Sequence, residues 1–391
     1  MVTGGERRVG RLLCGVGLVA AAALASPPAA PAESFGPFSD PQPVTIEGYA
    51  GSAEEPFISA DGRFLLFNSL ESEQHFSLRF AEGSGGQTFA YGGELRGEGV
   101  NDPESLSGAP TMDAAGTVYF ISPRSYFQTL SSVYGGQFHE GELSGVHLIE
   151  GVSAPMLGKV DFDVGASPDG SALYVSEGQF GQAGGPSSAR LVIFERQGNS
   201  FAADPLSETL LKSVNAVAAL VYAADLSYDE LELFFTAANP AVGQAPAIYR
   251  ATRASTAAPF GDVQRIAAIS GFAEAPALSA DGTTLYYHEQ AGSEFHTMTV
   301  RRQEFAPAIK KLRPAKGAAA GGTEVSISGA NFTGVAAVRF GSQPATRFAV
   351  NSPTSLTAVA PAASRGRVDV RVTTPGGTSA STRRDRFRYG R

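Results

Sequence analysis

Five short turns of one kind, spaced almost evenly along 391 residues, constrain this chain more than any other feature. The first is Pro56-Phe-Ile-Ser59-Ala-Asp61-Gly62, followed by the apolar run Phe64-Leu65-Leu66-Phe67. It returns as Pro276-Ala-Leu-Ser279-Ala-Asp281-Gly282 before Leu285-Tyr286-Tyr287. Three weaker copies lie between, at Ala115-Gly116, Asp169-Gly170 and Asp229-Glu230. An Asp-Gly pair between two apolar strands makes a hairpin, because Gly tolerates positive φ and Asp bonds the backbone beside it. The second copy lacks the Asp and the fourth lacks the Gly, yet both keep the spacing.

The turn positions are 61, 115, 169, 229 and 281, giving steps of 54, 54, 60 and 52 residues. Each interval has room for about four short strands and their loops. A second strand-like run follows each turn strand, such as Phe76-Ser-Leu-Arg-Phe80 and Arg190-Leu-Val-Ile-Phe194. Four strands repeated at this period form a blade of a β-propeller. The fifth repeat ends without an outermost strand. The alternating stretch Pro43-Val-Thr-Ile-Glu-Gly48 precedes the first turn and is expected to supply it, which would remove an exposed edge. Five blades result, and a sixth assembled from degenerate pieces stays open.

Composition agrees with an all-β chain rich in turns, with 46 Gly, 24 Pro and only 17% charged residues. The start has another purpose. Arg7, Arg8 and Arg11 precede an apolar run from Leu12 to Ala25, closed by the small-residue site Ala23-Leu-Ala25. Residues 1–25 are expected to be a cleaved secretory signal, with an uncleaved anchor as the alternative. Residues 26–42 form a Pro/Ala-rich leader. The single cysteine, Cys14, lies inside the signal, so the mature chain has neither disulfides nor thiol chemistry. A secreted or periplasmic protein of bacterial type is expected.

Charge divides the remainder. Residues 26–299 hold 11 Lys and Arg against 33 Asp and Glu, whereas residues 300–391 hold 16 against 4. The break sets the expected domains at 43–304 and 305–391. In the second domain, short alternating strands with Gly/Pro turns describe an immunoglobulin-like sandwich.

The pattern Pro-x-x-Ser-x-Asp-Gly-x-x-Leu-x-Phe/Tyr resembles the TolB-type β-propeller repeat, related to the WD-repeat propellers, over roughly residues 43–303. Gly317-Ala-Ala-Ala-Gly-Gly322-Thr-Glu-Val-Ser-Ile-Ser-Gly329-Ala-Asn331-Phe332, Val338-Arg-Phe340-Gly341 and Thr374-Pro375-Gly-Gly-Thr-Ser379 resemble the IPT/TIG family over 308–389. That second resemblance implies a small β-sandwich used for interaction, spacing or ligand contact.

Chemistry is harder to find. The turn acids Asp61, Asp169, Asp229 and Asp281 recur because every blade needs the turn, so they read as turn formers. His75, His139, His147, His288 and His296 have no metal spacing and read as loop or surface residues. Asp161, Asp163, Asp225, Asp229, Glu230 and Glu232 lack the ordered Gly of a calcium loop and read as a solvated face. No Gly-x-Ser-x-Gly elbow is present for a peptidase. No catalytic residue, cofactor or metal ligand is assigned.

Two long loops are candidate binding elements. One carries Tyr126, Phe127, Tyr134, Phe138 and His139; the other carries Phe180. In the basic domain, Arg365, Arg367, Arg371, Arg384 and Arg386 form a candidate face for an anionic polymer. The expected function is non-catalytic binding or scaffolding, with the propeller face on a protein or envelope glycan. Nucleic acid is not an expected partner, and no membrane span is expected after signal cleavage. The alternative is a carbohydrate-active hydrolase or lyase with carboxylates converging at the propeller axis.

Overall fold

The computed structural model describes residues 35–72, 75–83, 86–181 and 185–390, so the expected signal and most of the leader lie outside the described residues. Among them, two short strands, β1 (Ser39–Pro43) and β2 (Thr45–Glu47), precede five antiparallel units. The first unit is β3 (Glu54–Ile58), β4 (Phe64–Ser72), β5 (His75–Gly83) and β6 (Thr88–Glu94). The second is β7 (Gly108–Met112), β8 (Thr117–Ile121), β9 (Val133–His139) and β10 (Glu142–Leu148). The third is β11 (Lys159–Ala166), β12 (Ala172–Phe180), β13 (Pro186–Gln197) and β14 (Ser200–Ala203). The fourth is β15 (Leu220–Leu226), β16 (Glu232–Asn239), β17 (Gln244–Thr252) and β18 (Gly261–Arg265). The fifth has β19 (Ala273–Leu278), β20 (Thr284–Ala291) and β21 (Glu294–Arg301). Innermost strands touch in the order β3, β7, β11, β15, β19 and back to β3, which closes a ring.

Packing follows from strand alternation. On β4, Leu65 and Phe67 point to one side and Phe64 and Leu66 to the other, so each turn strand feeds two interfaces. Phe64 and Leu66 pack with Val118 and Phe120 of the second unit. Leu65 and Phe67 pack with Ala277 and Tyr286 of the fifth. Equivalent cores lie between the second and third, third and fourth, and fourth and fifth units. The 60-residue step is long because two single helical turns, Ser207–Leu210 and Lys212–Asn215, sit between the third and fourth units.

The ring closes differently from expectation. β1, from the segment assigned to the leader, pairs with β21 and completes the fifth unit. β2 pairs in parallel with β6 on the outer edge of the first. Position 43–48 therefore does not form one closing strand; the chain steps from the edge of one unit to the edge of the next. Pro41 and Pro43 obscure β1 in the sequence, but an outermost strand bonds on one edge only and accommodates them.

Each turn has the geometry its residues dictate. Ser59 Oγ donates to Asp61 Oδ1 at 2.6 Å, and Asp61 Oδ1 accepts from Arg63 N at 3.0 Å. Phe64 N donates to Ser59 Oγ at 2.9 Å. The third, fourth and fifth turns repeat this set. In the second, Asp113 occupies the Ser position, and its Oδ1 accepts from both Ala115 N and Thr117 N. One acid thus replaces the Ser–Asp pair. In the fourth, Glu230 takes the Gly position with φ of 57°. Because only Oδ1 is used for the backbone bond, Asp281→Asn should leave the melting temperature nearly unchanged, whereas Asp281→Ala should cost about 1–2 kcal/mol. Equal losses in the two variants, measured by thermal unfolding, would mean that charge and not turn geometry is at stake.

The second domain is a two-sheet sandwich. One sheet orders the strands 308–313, 324–330, 355–359 and 347–352; the other orders 316–318, 386–390, 366–374, 337–340 and 343–344. Val325, Ile327, Phe332, Phe340, Leu356, Val370, Val372 and Phe387 fill its core.

Candidate functional site

The repeat provides its own control for finding a site, because equivalent positions in the five units can be counted from the turns. Six residues before the turn acid stand Glu55, Ala109, Asp163, Ala223 and Ala275. Four of these have left-handed backbone, with φ of 48° at Glu55, 50° at Ala109, 52° at Ala223 and 51° at Ala275. They form bulges in the inner strands, where a strand re-aims its side chains. A cavity of about 30 Å³ at the axis is lined by all five positions.

Six residues after the turn Gly, or its Glu230 equivalent, stand Asn68, Ser122, Ser176, Thr236 and His288, all buried. Four of them hold the bulge of the next unit. Asn68 Oδ1 accepts from Ala109 N at 3.0 Å, Ser176 Oγ from Ala223 N at 3.1 Å, and Thr236 Oγ1 from Ala275 N at 3.0 Å. His288 Nδ1 accepts from Glu55 N at 2.9 Å. Ser122 instead meets Ser105 at 3.2 Å. A small polar side chain satisfies this staple, so the fold does not require His288.

The departures from the repeat gather in one place. His288 Nε2 lies 3.1 Å from Glu274 Oε2, and Tyr222 donates its hydroxyl to Glu274 Oε1. Glu55 Oε2 accepts from Ala109 N at 2.8 Å. Glu274, Tyr222 and Glu55 are partly exposed, so the cluster opens to solvent, while Asp163 and Glu54 are buried beside it. Phe162 packs between Phe180 and Tyr222 at its rim. Three carboxyl groups from three units, Glu55, Asp163 and Asp225, therefore line the axial gap, and Glu274 and Glu54 stand next to them.

Electrostatics confirm the crowding. Burial raises the Glu55 carboxyl, with Glu274 adding to the effect against the opposing pull of His288. Burial, then Glu55 and Glu274, hold Asp163 well above the ordinary carboxylate range. Glu54 is pushed up to about 7, mainly by burial, and its Oε1 has no hydrogen-bond partner. Tyr222 is raised by burial and by Glu274. Deeper in the axis, Asp225 is raised by burial to about 7, although its Oδ2 accepts from Leu278 N at 2.7 Å. Beyond it a second gap of about 40 Å³ is lined chiefly by apolar side chains, among them Phe57, Ile58, Met112, Leu226 and Leu278.

These placements correct two sequence readings. Asp161, Asp163, Asp225 and Glu232 are buried and do not form a solvated face. His288 is 2% exposed and belongs to the axial cluster; it is not a loop residue.

The aromatic candidates scatter. Tyr126 is buried, and its hydroxyl accepts from Gly158 N at 2.7 Å. Tyr134 is buried and stacks on Phe120, and Phe138 packs on Phe64; both lie on β9 and not in a loop. Phe127 is 83% exposed and His139 is exposed on the end of β9. Only Phe180 reaches the rim of the axial cluster, through Phe162.

The basic candidates fall partly together. Arg367 faces Arg388, which faces Lys316 on the next strand; Arg371 faces Arg339, and Asp369 faces Arg386. Paired residues share a face of the sheet, so six cations and one acid occupy the outward face. Arg365 and Arg384 lie in loops outside those strands. Lys316 and Arg339 come from strands distant in sequence, and register alone brings them in.

No curated protein matches the chain. Solved structures similar to it include TolB from Acinetobacter baumannii, 14% identical with a TM-score of 0.36, covering 77% of this chain and 65% of that one. This chain thus spans less than two thirds of that relative's length. They also include a structure titled "Glycoside hydrolase", 10% identical with a TM-score of 0.46, covering 69% and 92%. An endo-arabinase from Bacteroides thetaiotaomicron is 12% identical with a TM-score of 0.43, covering 66% and 96%. Residues 307–389 match the family model described as the IPT/TIG domain, so the chain carries a closed ring of five antiparallel units followed by an IPT/TIG domain.

Proposed function

We propose that this protein is a non-catalytic binding or scaffolding protein, taking a protein or glycan partner at the axial mouth of the propeller and an anionic polymer on the basic sheet of the sandwich. The size of the axial gap carries this reading. A glycosidase holds its two carboxyl groups on opposite sides of a sugar bond, about 5–10 Å apart. Here Glu55, Asp163 and Asp225 line a gap of about 30 Å³, far below the ~150 Å³ of a cavity that takes a benzene-sized ring. A sugar ring does not fit within that gap.

The convergence of Glu55, Asp163 and Glu274 is the one observation that favours a hydrolase, and it is directly testable. Reducing-end release from a panel of plant and envelope polysaccharides should stay at the no-enzyme level. Release that disappears in Glu55→Gln would establish the hydrolase and end the binding-only reading.

The sandwich has its own test. On a heparin column, used as a generic polyanion, the protein should elute at a salt concentration that falls in Arg367→Glu/Arg388→Glu, with affinity at least about tenfold lower. Elution unchanged by the two reversals would leave the arginines as surface solubility. Export through residues 1–25 belongs to the same proposal, and amino-terminal sequencing of the secreted product should begin after Ala25 or Ala32.

A further inference from the structure

Glu55, Asp163 and Asp225 line a water-sized gap that no Lys or Arg lines, and we propose that this gap binds one primary ammonium group, carried by a lysine side chain or by the amino terminus of a partner polypeptide. The inference rests on the reading of the axial mouth as a binding site and names the chemistry it recognises.

Three observations support it. The repeat shows that the fold does not need these acids. Ala109, Ala223 and Ala275 hold the same position, three of them with the same left-handed backbone as Glu55. A carboxylate that the scaffold can replace by a methyl group, yet keeps half-buried among other carboxylates, has a reason outside the fold.

Acceptors also outnumber donors. Glu274 is occupied by Tyr222 and His288, and Glu55 Oε2 by Ala109 N. Glu54, only 8% exposed and adjacent to Glu55, Glu274 and His288, leaves Oε1 without any partner. A buried carboxylate oxygen lacking a donor is costly. An ammonium group in the gap, beside Glu54, brings one positive charge and three donors to this cluster.

Size selects among cations. Lysine carries a compact point charge, whereas arginine presents a wide planar fork. About 30 Å³ admits the first and excludes the second. Among the described residues no three carboxylate or histidine side chains are arranged to hold a metal ion, which separates this site from a cation cage of calcium type.

The test is thermal unfolding of the full chain with capped peptides. The probes are acetylated and amidated Gly-Gly-Lys-Gly-Gly, the same peptide with Nε-acetyl-lysine, and amidated pentaglycine with a free amino terminus. At a concentration about tenfold above the dissociation constant, a binding probe should raise the melting temperature by roughly 3 °C. The lysine peptide, the free-amine peptide or both should do so, which identifies the source, and the acetyl-lysine peptide should not. In Glu55→Gln/Asp163→Asn the shift should vanish. Glu55→Ala, which copies Ala109, provides a second variant that the repeat shows to be compatible with the fold.

An equal shift from the acetyl-lysine peptide would overturn the proposal. So would a shift that survives in both variants, or one matched by potassium or calcium chloride alone. Absence of any peptide effect would also overturn it, while the polysaccharide and heparin measurements would still decide the broader binding reading.

Discussion

Arg302→Met should destabilise the propeller by about 3 kcal/mol, because it removes the bidentate partner of a buried carboxylate and leaves that group to Arg250 alone. Arg302 is 5% exposed and follows directly after β21. Its Nη1 donates to Glu232 Oε1 at 2.9 Å, its Nη2 to Glu232 Oε2, and its Nε to Gly282 O at 2.6 Å. The guanidinium also lies 4.0 Å from the ring centre of Phe35 and 4.7 Å from that of Phe38. One side chain thereby joins the fifth unit, the fourth unit and the segment that enters the closing strand β1. Glu232 is held below the ordinary carboxylate range by Arg302 and Arg250 against the opposing effect of burial. A depressed carboxyl stabilises the fold above its unfolded value, and that contribution is lost as pH falls through the folded value. The Arg302→Met penalty should therefore be full at neutral pH and shrink in acid. A melting temperature within about 1 °C of the parent at pH 7 would show that ring closure does not depend on this pair.

Glu54→Gln should act in the opposite direction and stabilise the protein at neutral and alkaline pH. Glu54 titrates near 7 in the fold, against 4.5 as its ordinary value, mainly because it is buried. A raised carboxyl binds its proton more tightly when folded, so stability falls as pH rises from about 4.5 to about 7. The full effect for one such group is about 3 kcal/mol, reached above pH 7 and absent below pH 4.5. Glu55, Asp161, Asp163 and Asp225 are raised as well. The turn acids Asp61, Asp169 and Asp281 are lowered and lose their contribution only in stronger acid. Together these directions place maximum stability on the acid side of neutrality, near pH 4–5. Glu54→Gln and its parent should melt together there and separate progressively up to pH 8. A parent that gains stability steadily from pH 5 to 8 would contradict this.

The difference between what the chain discloses and what it conceals has a physical basis. A turn is local: Ser59, Asp61, Gly62 and Phe64 bond to one another within six residues, so its chemistry is written in consecutive letters. Alternation in Phe64 to Phe67 is equally local, and blade, period and sandwich follow from it. The axial cluster is assembled from Glu55, Asp163, Tyr222, Glu274 and His288, which meet only because the ring closes. A signal was nevertheless present. Counting back from each turn places two acids among three alanines, and counting forward places one histidine among Asn, Ser and Thr. Read by the turn, the repeat shows where it is broken; read as composition, the same acids pass for solvated surface. The closing strand had no such signal, since Ser39-Asp-Pro-Gln-Pro43 neither alternates nor packs a core residue. The basic face required register across the sheet, which no single strand contains.

What distinguishes a cation-binding axis from an inert plug is the state of its carboxyl groups in the free protein. Carbon-detected NMR titration of the glutamate and aspartate side chains, assigned through Glu54→Gln, Glu55→Gln and Asp163→Asn, measures this directly. The account predicts a Glu54 midpoint near 7 in the free protein, falling toward the ordinary carboxylate range once the lysine or free-amine peptide is bound. Axial carboxyl groups that titrate near 4 in the free protein and do not respond to either peptide would contradict it.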